Sequence, residues 1–313
     1  MVDDKDTNWE RRVLERLALE TLAEQKRRRR WGIFFKLLGF VFLAVILWMF
    51  GDFGAGETLD GRGHTALVSL DGEIASRGEA SSDRVLASLQ AAFADSGTKG
   101  VVLRINSPGG SPVQAGMIND EIGRLRQLHP DIPLYVVVED ICASGGYYVA
   151  AAADRIYVDK ASIVGSIGVL MDGFGFSGLM DKLGIERRLL TAGENKGFLD
   201  PFSRQEPRHL AHAKGMLQEI HTQFVDAVRK GRGNRLKETP DMFSGLMWTG
   251  AKSVELGLAD GFGTVESVAR DVIKAEDIRD YTQKQNFAER VAERFGTDMA
   301  RSAANTLGRV TLH

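Results

Sequence analysis

The sequence predicts an α/β domain with mostly parallel strands, held to a membrane by one N-terminal helix. Three observations carry this expectation. From His64 onward, apolar runs (TALVSLDGEI, KGVVLRINSPGG, IPLYVVVED) alternate with helical segments, the β-α-β-α rhythm of parallel sheets. Several of these runs end in glycine-rich turns. Residues 31–50, WGIFFKLLGFVFLAVILWMF, form an apolar stretch directly behind five cations, Lys26 to Arg30. The 313 residues are enough for one large or two small domains with a sizeable core.

The elements follow in order. Residues 1–30 read as a short solvated helix on the cytoplasmic side. Thr7 or Asn8 serves as its cap, and Trp9, Val13, Leu14, Leu17 and Leu22 share one face. Residues 31–50 match the roughly 20 residues of a membrane span. Trp31 and Trp48 stand near its ends, and Lys36 lies close enough to one end to snorkel. A cleaved signal peptide fits less well, because about 30 residues precede the apolar run and no A-x-A site follows. The cations belong in the cytoplasm, so the chain after residue 50 emerges on the extracytoplasmic side. Residues 51–63, rich in glycine and aspartate, form a linker.

The α/β domain spans 64–275. Its strands are separated by a helix in SSDRVLASLQAAFA and by one that Ser111 caps, with Pro112 at its first position. A further helix starts near Ser144, and RIYVD reads as a short strand. A long helix over 204–231 sets Leu210, Leu217, Ile220, Phe224 and Val228 on one side. A helix and a terminal α/β pair follow, then a helical C-terminal tail over 276–313.

The composition removes several classes of chemistry. The net charge of −2 gives no reason to expect nucleic acid. Cys142 is the single cysteine, so no internal disulfide forms. No nucleotide-binding glycine motif is present. His209 and His212 are the only close histidines and read as exposed helix residues, so neither a metal nor another cofactor is expected. The G-x-S-x-G elbow of a Ser-His-Asp hydrolase is absent, since both A-S-G-G and V-G-S-I-G lack the glycine two before the serine.

What remains is a set of glycine-rich turns: Asn106–Gly110, Ala143–Gly146, Val164–Val169 and Ala192–Phe198. Adjacent glycines let backbone approach a substrate carbonyl and aim N–H groups at a developing oxyanion. Ser144 stands where a strand turns into a helix. The bland reading is a small packing residue, and the sharp one is a nucleophile. Lys196 is the only lysine in the four turns, with Phe198, Leu199 and Phe202 nearby to dry its surroundings. A lysine base must be neutral. Bringing its pKa from about 10.4 to about 7–8 takes about 4 kcal/mol, which burial can supply.

The ordered set N-S-P-G-G, A-S-G-G-Y-Y, V-G-S-I-G-V and G-E-N-K resembles the SppA family of signal peptide peptidases, over about His64 to Val268. These are serine-lysine peptidases of ClpP/crotonase-like fold. The chain is similar to the short, single-copy form. The resemblance implies Ser144 as nucleophile, Lys196 as general base and Ser166 as the residue orienting the lysine. It implies an oxyanion hole from the amides of Gly145 and of Gly109 or Gly110. It further implies remnant signal peptides as substrates and a homo-oligomeric ring in which serine and lysine come from neighbouring subunits. Ser111-Pro112 departs from the pattern, so specificity does not carry over. Two other readings stand beside it: a crotonase-like acyl-CoA enzyme, which the anchor opposes by placing the domain away from CoA, and a non-catalytic membrane scaffold.

Overall fold

The computed structural model describes residues 6–50 and 63–283. The linker of 51–63, apart from Gly63, and the tail beyond residue 283 lie outside the described residues. The chain divides into two compact units, Met1–Asp60 and Gly61–His313.

In the first unit, α1 (Asp6–Phe50) is one continuous helix of 45 residues. The cationic run and the apolar run thus share a single rod, with no break at residue 30. Lys26 to Arg30 are exposed, as are Ile33, Phe40 and Phe42. Trp31 packs against its own helix, with its ring 5.7 Å from those of Phe34 and Phe35. Among the described residues no helix is long and apolar enough to cross a membrane. The side chains of residues 46–50, the end of the expected anchor, lie outside them.

The second unit alternates as expected. Its elements are β1 (His64–Asp71), α2 (Ser82–Ala94), β2 (Thr98–Ser107), α3 (Pro112–Leu128), β3 (Leu134–Ala143), α4 (Gly145–Ala150), β4 (Arg155–Val158), β5 (Ile163–Gly165), α5 (Ser177–Leu183), α6 (Pro207–Arg232), β6 (Met247–Thr249), α7 (Gly250–Glu255), β7 (Gly261–Phe262), α8 (Val265–Ser267) and β8 (Ile278–Asp280). Eight strands form one sheet in the order β6-β5-β3-β2-β1-β8, with β4 pairing β3 and β7. Only the β5–β6 pairing is antiparallel. Strand β3 is long enough for its first half to pair β4 and its second half β5.

The strands read as near-continuous apolar runs because both faces of the sheet are covered. Val101, Leu103, Ile105, Val136 and Val138 face the main core with α2, α3 and α4. The alternating Val102 and Val137 face a smaller cluster with Tyr157, Val265 and Val268. Ser111 caps α3 as expected, accepting from the Gln114 amide at 3.4 Å.

Three details differ from the sequence reading. The first half of α6 buries His209 and Ala213, while Leu210 is exposed and Leu217 half-buried. A histidine packed under an aromatic ring replaces the expected leucines there. The sheet also runs past residue 275, because β8 pairs with β1. β5 and β6 are short strands where the sequence offered only a glycine turn and a helix start.

The start of β1 carries a buried polar knot. Tyr281 donates its hydroxyl proton to Asp95 Oδ2 (2.6 Å) and accepts from His64 Nε2–H (2.9 Å). His64 Nδ1 is buried without a hydrogen-bond partner. Burial, then the charge of Arg279, hold the imidazole below its ordinary pKa, against the opposing pull of Asp95 and Asp277. The unfolded chain therefore binds a proton at a pH where the fold resists it. This site's contribution to stability is complete above about pH 6.5 and falls as the pH drops below that value. Urea unfolding midpoints should decline between about pH 6.5 and 5 more steeply for the wild type than for His64→Gln. Parallel curves would contradict the assignment.

Candidate active site

Three strands, β2, β3 and β5, end side by side, at the edge where open parallel sheets hold ligands. The turn after each strand carries one of the predicted motifs. Ser107 closes β2. Its buried hydroxyl donates to Gly72 O (2.6 Å) and accepts from the Gly109 amide (3.1 Å). The following turn is locked by a short bridge: Ile74 N–H donates to Gly109 O and Ser111 N–H to Ile74 O, both 2.8 Å.

Gly109 and Gly110 have φ of 104° and 145°, which side chains rarely adopt. Space excludes a side chain too. A methyl on Gly109 would press on Ser144 Cβ and the Gly145 amide nitrogen, and one on Gly110 would collide with the Ile74 carbonyl. Glycine at 109 lets the backbone lie against Ser144, and glycine at 110 lets it lie against the Ile74 carbonyl.

Ser144 sits between β3 and the six-residue α4 with φ 50° and ψ −122°. A non-glycine residue held there stores about 1–3 kcal/mol. It is kept in place by its own amide, which donates to Gly165 O (2.9 Å), and by its carbonyl, which accepts from Tyr148 N–H (3.0 Å). Ser166 repeats the device at the end of β5, with φ 51° and its amide donating to Leu246 O (2.8 Å).

Ser144, Ser166, Gly110 and Gly145 line one cavity of about 620 Å³. Its apolar wall includes Val169, Tyr148 and Phe224, the last two with rings 5.1 Å apart. The Gly109 amide is committed to Ser107. Among the described residues no backbone acceptor engages the amides of Gly110 or Gly145. These two lie side by side, since a methyl on Gly145 would be 3.3 Å from Gly110 N. Cys142, two residues before Ser144, is fully buried, and desolvation pushes its thiol far up, so it offers no competing thiolate.

Lys196 does not join this cavity and is exposed. The drying expected from its neighbours is absent within one chain, because they pack elsewhere. Phe202 stacks on Phe176 (5.4 Å), and Phe198 sets its ring against His209 and His212 on the first half of α6 (5.4 and 5.6 Å). Ile220 and Phe224, which line the cavity, lie eight to twelve residues beyond His212 on α6, or about 12–18 Å along its axis. One helix thus holds the lysine turn and the serine cavity apart.

The sequence reading missed Ser107 and His221. The latter ties α6 to the Ser166 turn by donating from Nε2 to Ile167 O at 3.3 Å. Ser107 lay within a quoted motif, and its polar burial at a strand end was the available signal. His221 had none.

Residues 126–279 match the model of Peptidase family S49. That span encloses Ser144, Ser166 and Lys196. The chain is 47% identical over 182 residues to a Brucella abortus protein named Na(+)/H(+) antiporter NhaA, covering 58% of this chain and 25% of that one. It is 30% identical over 223 residues to the putative signal peptide peptidase SppA of Enterococcus faecium, covering 69% and 64%. It is 28% identical over 257 residues to the probable protease SohB of Haemophilus influenzae, covering 81% and 70%. The chain therefore spans a quarter of the Brucella protein and under two-thirds of the Enterococcus one. With the family match over the serine and lysine motifs and relatives named as proteases of this kind, the chain belongs to the signal peptide peptidase SppA (S49) family.

Proposed function

We propose that this protein is a membrane-anchored serine endopeptidase that cleaves remnant signal peptides and other membrane-associated peptides. The observation that carries the reading is the strained Ser144, set in a cavity with an apolar wall beside the uncommitted amides of Gly110 and Gly145. Ser144 Oγ attacks the scissile carbonyl carbon, and its proton passes to neutral Lys196 Nζ. The oxyanion takes hydrogen bonds from Gly110 and Gly145. Gly110 rather than Gly109 is the donor, because the Gly109 amide already serves Ser107. Lys196 then protonates the leaving amine, and water hydrolyses the ester with Lys196 again as base. Ser166 accepts a hydrogen bond that orients the lysine.

The base comes from a neighbouring subunit in a homo-oligomeric ring. Two features support this: the separation of the lysine turn from the cavity along α6, and the exposure of Lys196 in a single chain. A neighbour that covers the lysine supplies the desolvation a neutral amine needs. Residues 31–50 anchor the chain in the cytoplasmic membrane with the N-terminus inside and the catalytic domain outside, supported by Lys26 to Arg30 at one end of the apolar run. Apolar peptides suit both the cavity wall and that location.

The test is hydrolysis of an apolar peptide by the full chain in detergent micelles. Wild type should cleave and Lys196→Ala should not. Cleavage by Lys196→Ala at the wild-type rate would remove the lysine from the mechanism.

A further inference from the structure

We propose that His209, seconded by His212, is a positioning residue that fixes the Lys196 turn. The proposal rests on Lys196 being the base. Glycines flank the lysine at 193 and 197, and bonds from Lys196 N–H to Gly193 O (3.1 Å) and from Phe198 N–H to Asn195 O (3.0 Å) close the turn locally without fixing where it sits. Its place against α6 is set by side chains: an exposed Arg208–Glu194 pair at 2.7 Å, and the contacts of His209 and His212. On one side of the lysine, Asn195 Oδ1 accepts from His209 Nε2–H at 3.3 Å. On the other, the Phe198 ring stands edge-on to His209 and His212, at 68° and 76°. His209 is only 8% exposed, so it is itself fixed. Both neighbours of the lysine turn are therefore pinned to the same helical turn of α6.

The second half of that helix reaches the serine cavity through Phe224 and the Ser166 turn through His221. One rigid element thus sets where the lysine is presented. A base misplaced by about 1 Å loses about a hundredfold in rate. A histidine that merely filled space would need neither the bond to Asn195 nor the paired ring contacts.

The experiment compares kcat and KM of full-length His209→Leu, His209→Gln, Asn195→Ala and Lys196→Ala. Glutamine can place an amide donor where Nε2 stood. His209→Leu and Asn195→Ala should lower kcat about tenfold or more with KM nearly unchanged, and His209→Gln should recover most of the loss. Asn195 is exposed, so its variant reads the bond even if His209→Leu fails to fold. Wild-type kcat in Asn195→Ala, or a loss in His209→Leu that glutamine does not recover, would overturn the proposal. Lys196→Ala distinguishes the two readings: if it stays active, the base assignment itself has failed.

Discussion

Ser144→Ala is expected to lower peptide hydrolysis at least about a thousandfold while leaving KM close to its wild-type value. The loss should be that large because the proposed mechanism makes Ser144 Oγ the bond-forming atom. The amides of Gly110 and Gly145 can still polarise a bound carbonyl, so binding survives. A second variant separates chemistry from strain. Ser144→Gly should be equally inactive yet more stable than Ser144→Ala by about 1 kcal/mol, since glycine adopts φ 50° without penalty. Urea unfolding of the two variants measures this. Equal stabilities would mean that the turn imposes no strain, and the geometric case for Ser144 would weaken with it.

Arg232 carries the second large effect. It is buried at the end of α6 and donates from Nη1 to Asp260 Oδ2 (2.8 Å) and from Nε to Gly257 O (2.9 Å). Asp260 also accepts from the Ile156 amide (2.7 Å) and pairs with Arg235 (3.3 Å). Burial pushes the Asp260 carboxyl up. The hydrogen bond and charge of Arg232, with the Ile156 amide and Arg235, outweigh it and hold the pKa below the ordinary range. Its contribution is therefore present at neutral pH and lost as the pH falls below about 4. Arg232→Met strands a buried carboxylate and should cost about 3–5 kcal/mol, about 6–20 °C in Tm for a domain of this size. Adding Asp260→Asn should recover part of the loss. A double variant no more stable than the single one would contradict the ion-pair account.

Local features were legible because their causes are local. The strands of 64–71, 98–107 and 134–143 are built around the apolar runs ALV, VVL and LYVVV, which the two covered faces of the sheet bury. Ser144 stood out because a serine followed by two glycines breaks such a run. Long-range features were not legible. Arg232 lies one residue past the helix read from sequence over 204–231, and its partner Asp260 is 28 positions away. The inward face of α6 was misassigned at Leu210 because His209 is taken up by Asn195 and Phe198, a contact that depends on how 193–203 folds back. The serine, Ser166 and two glycines meet at one edge because three parallel strands end together, and their motifs mark this in order. The lysine's place is the exception. Its motif is clear, but its separation from the serine cavity follows from the course of α6, which local pattern does not encode.

The most direct measurement mixes two variants that the proposed mechanism makes inactive. Full-length Ser144→Ala and Lys196→Ala are unfolded together, co-assembled, and assayed for peptide hydrolysis, with native mass spectrometry confirming mixed oligomers. In a ring with head-to-tail contacts, about a quarter of the sites would combine an intact serine with an intact lysine. The account predicts activity near that fraction of wild type. Mixed rings with no recovered activity would contradict a serine and lysine shared between neighbouring subunits.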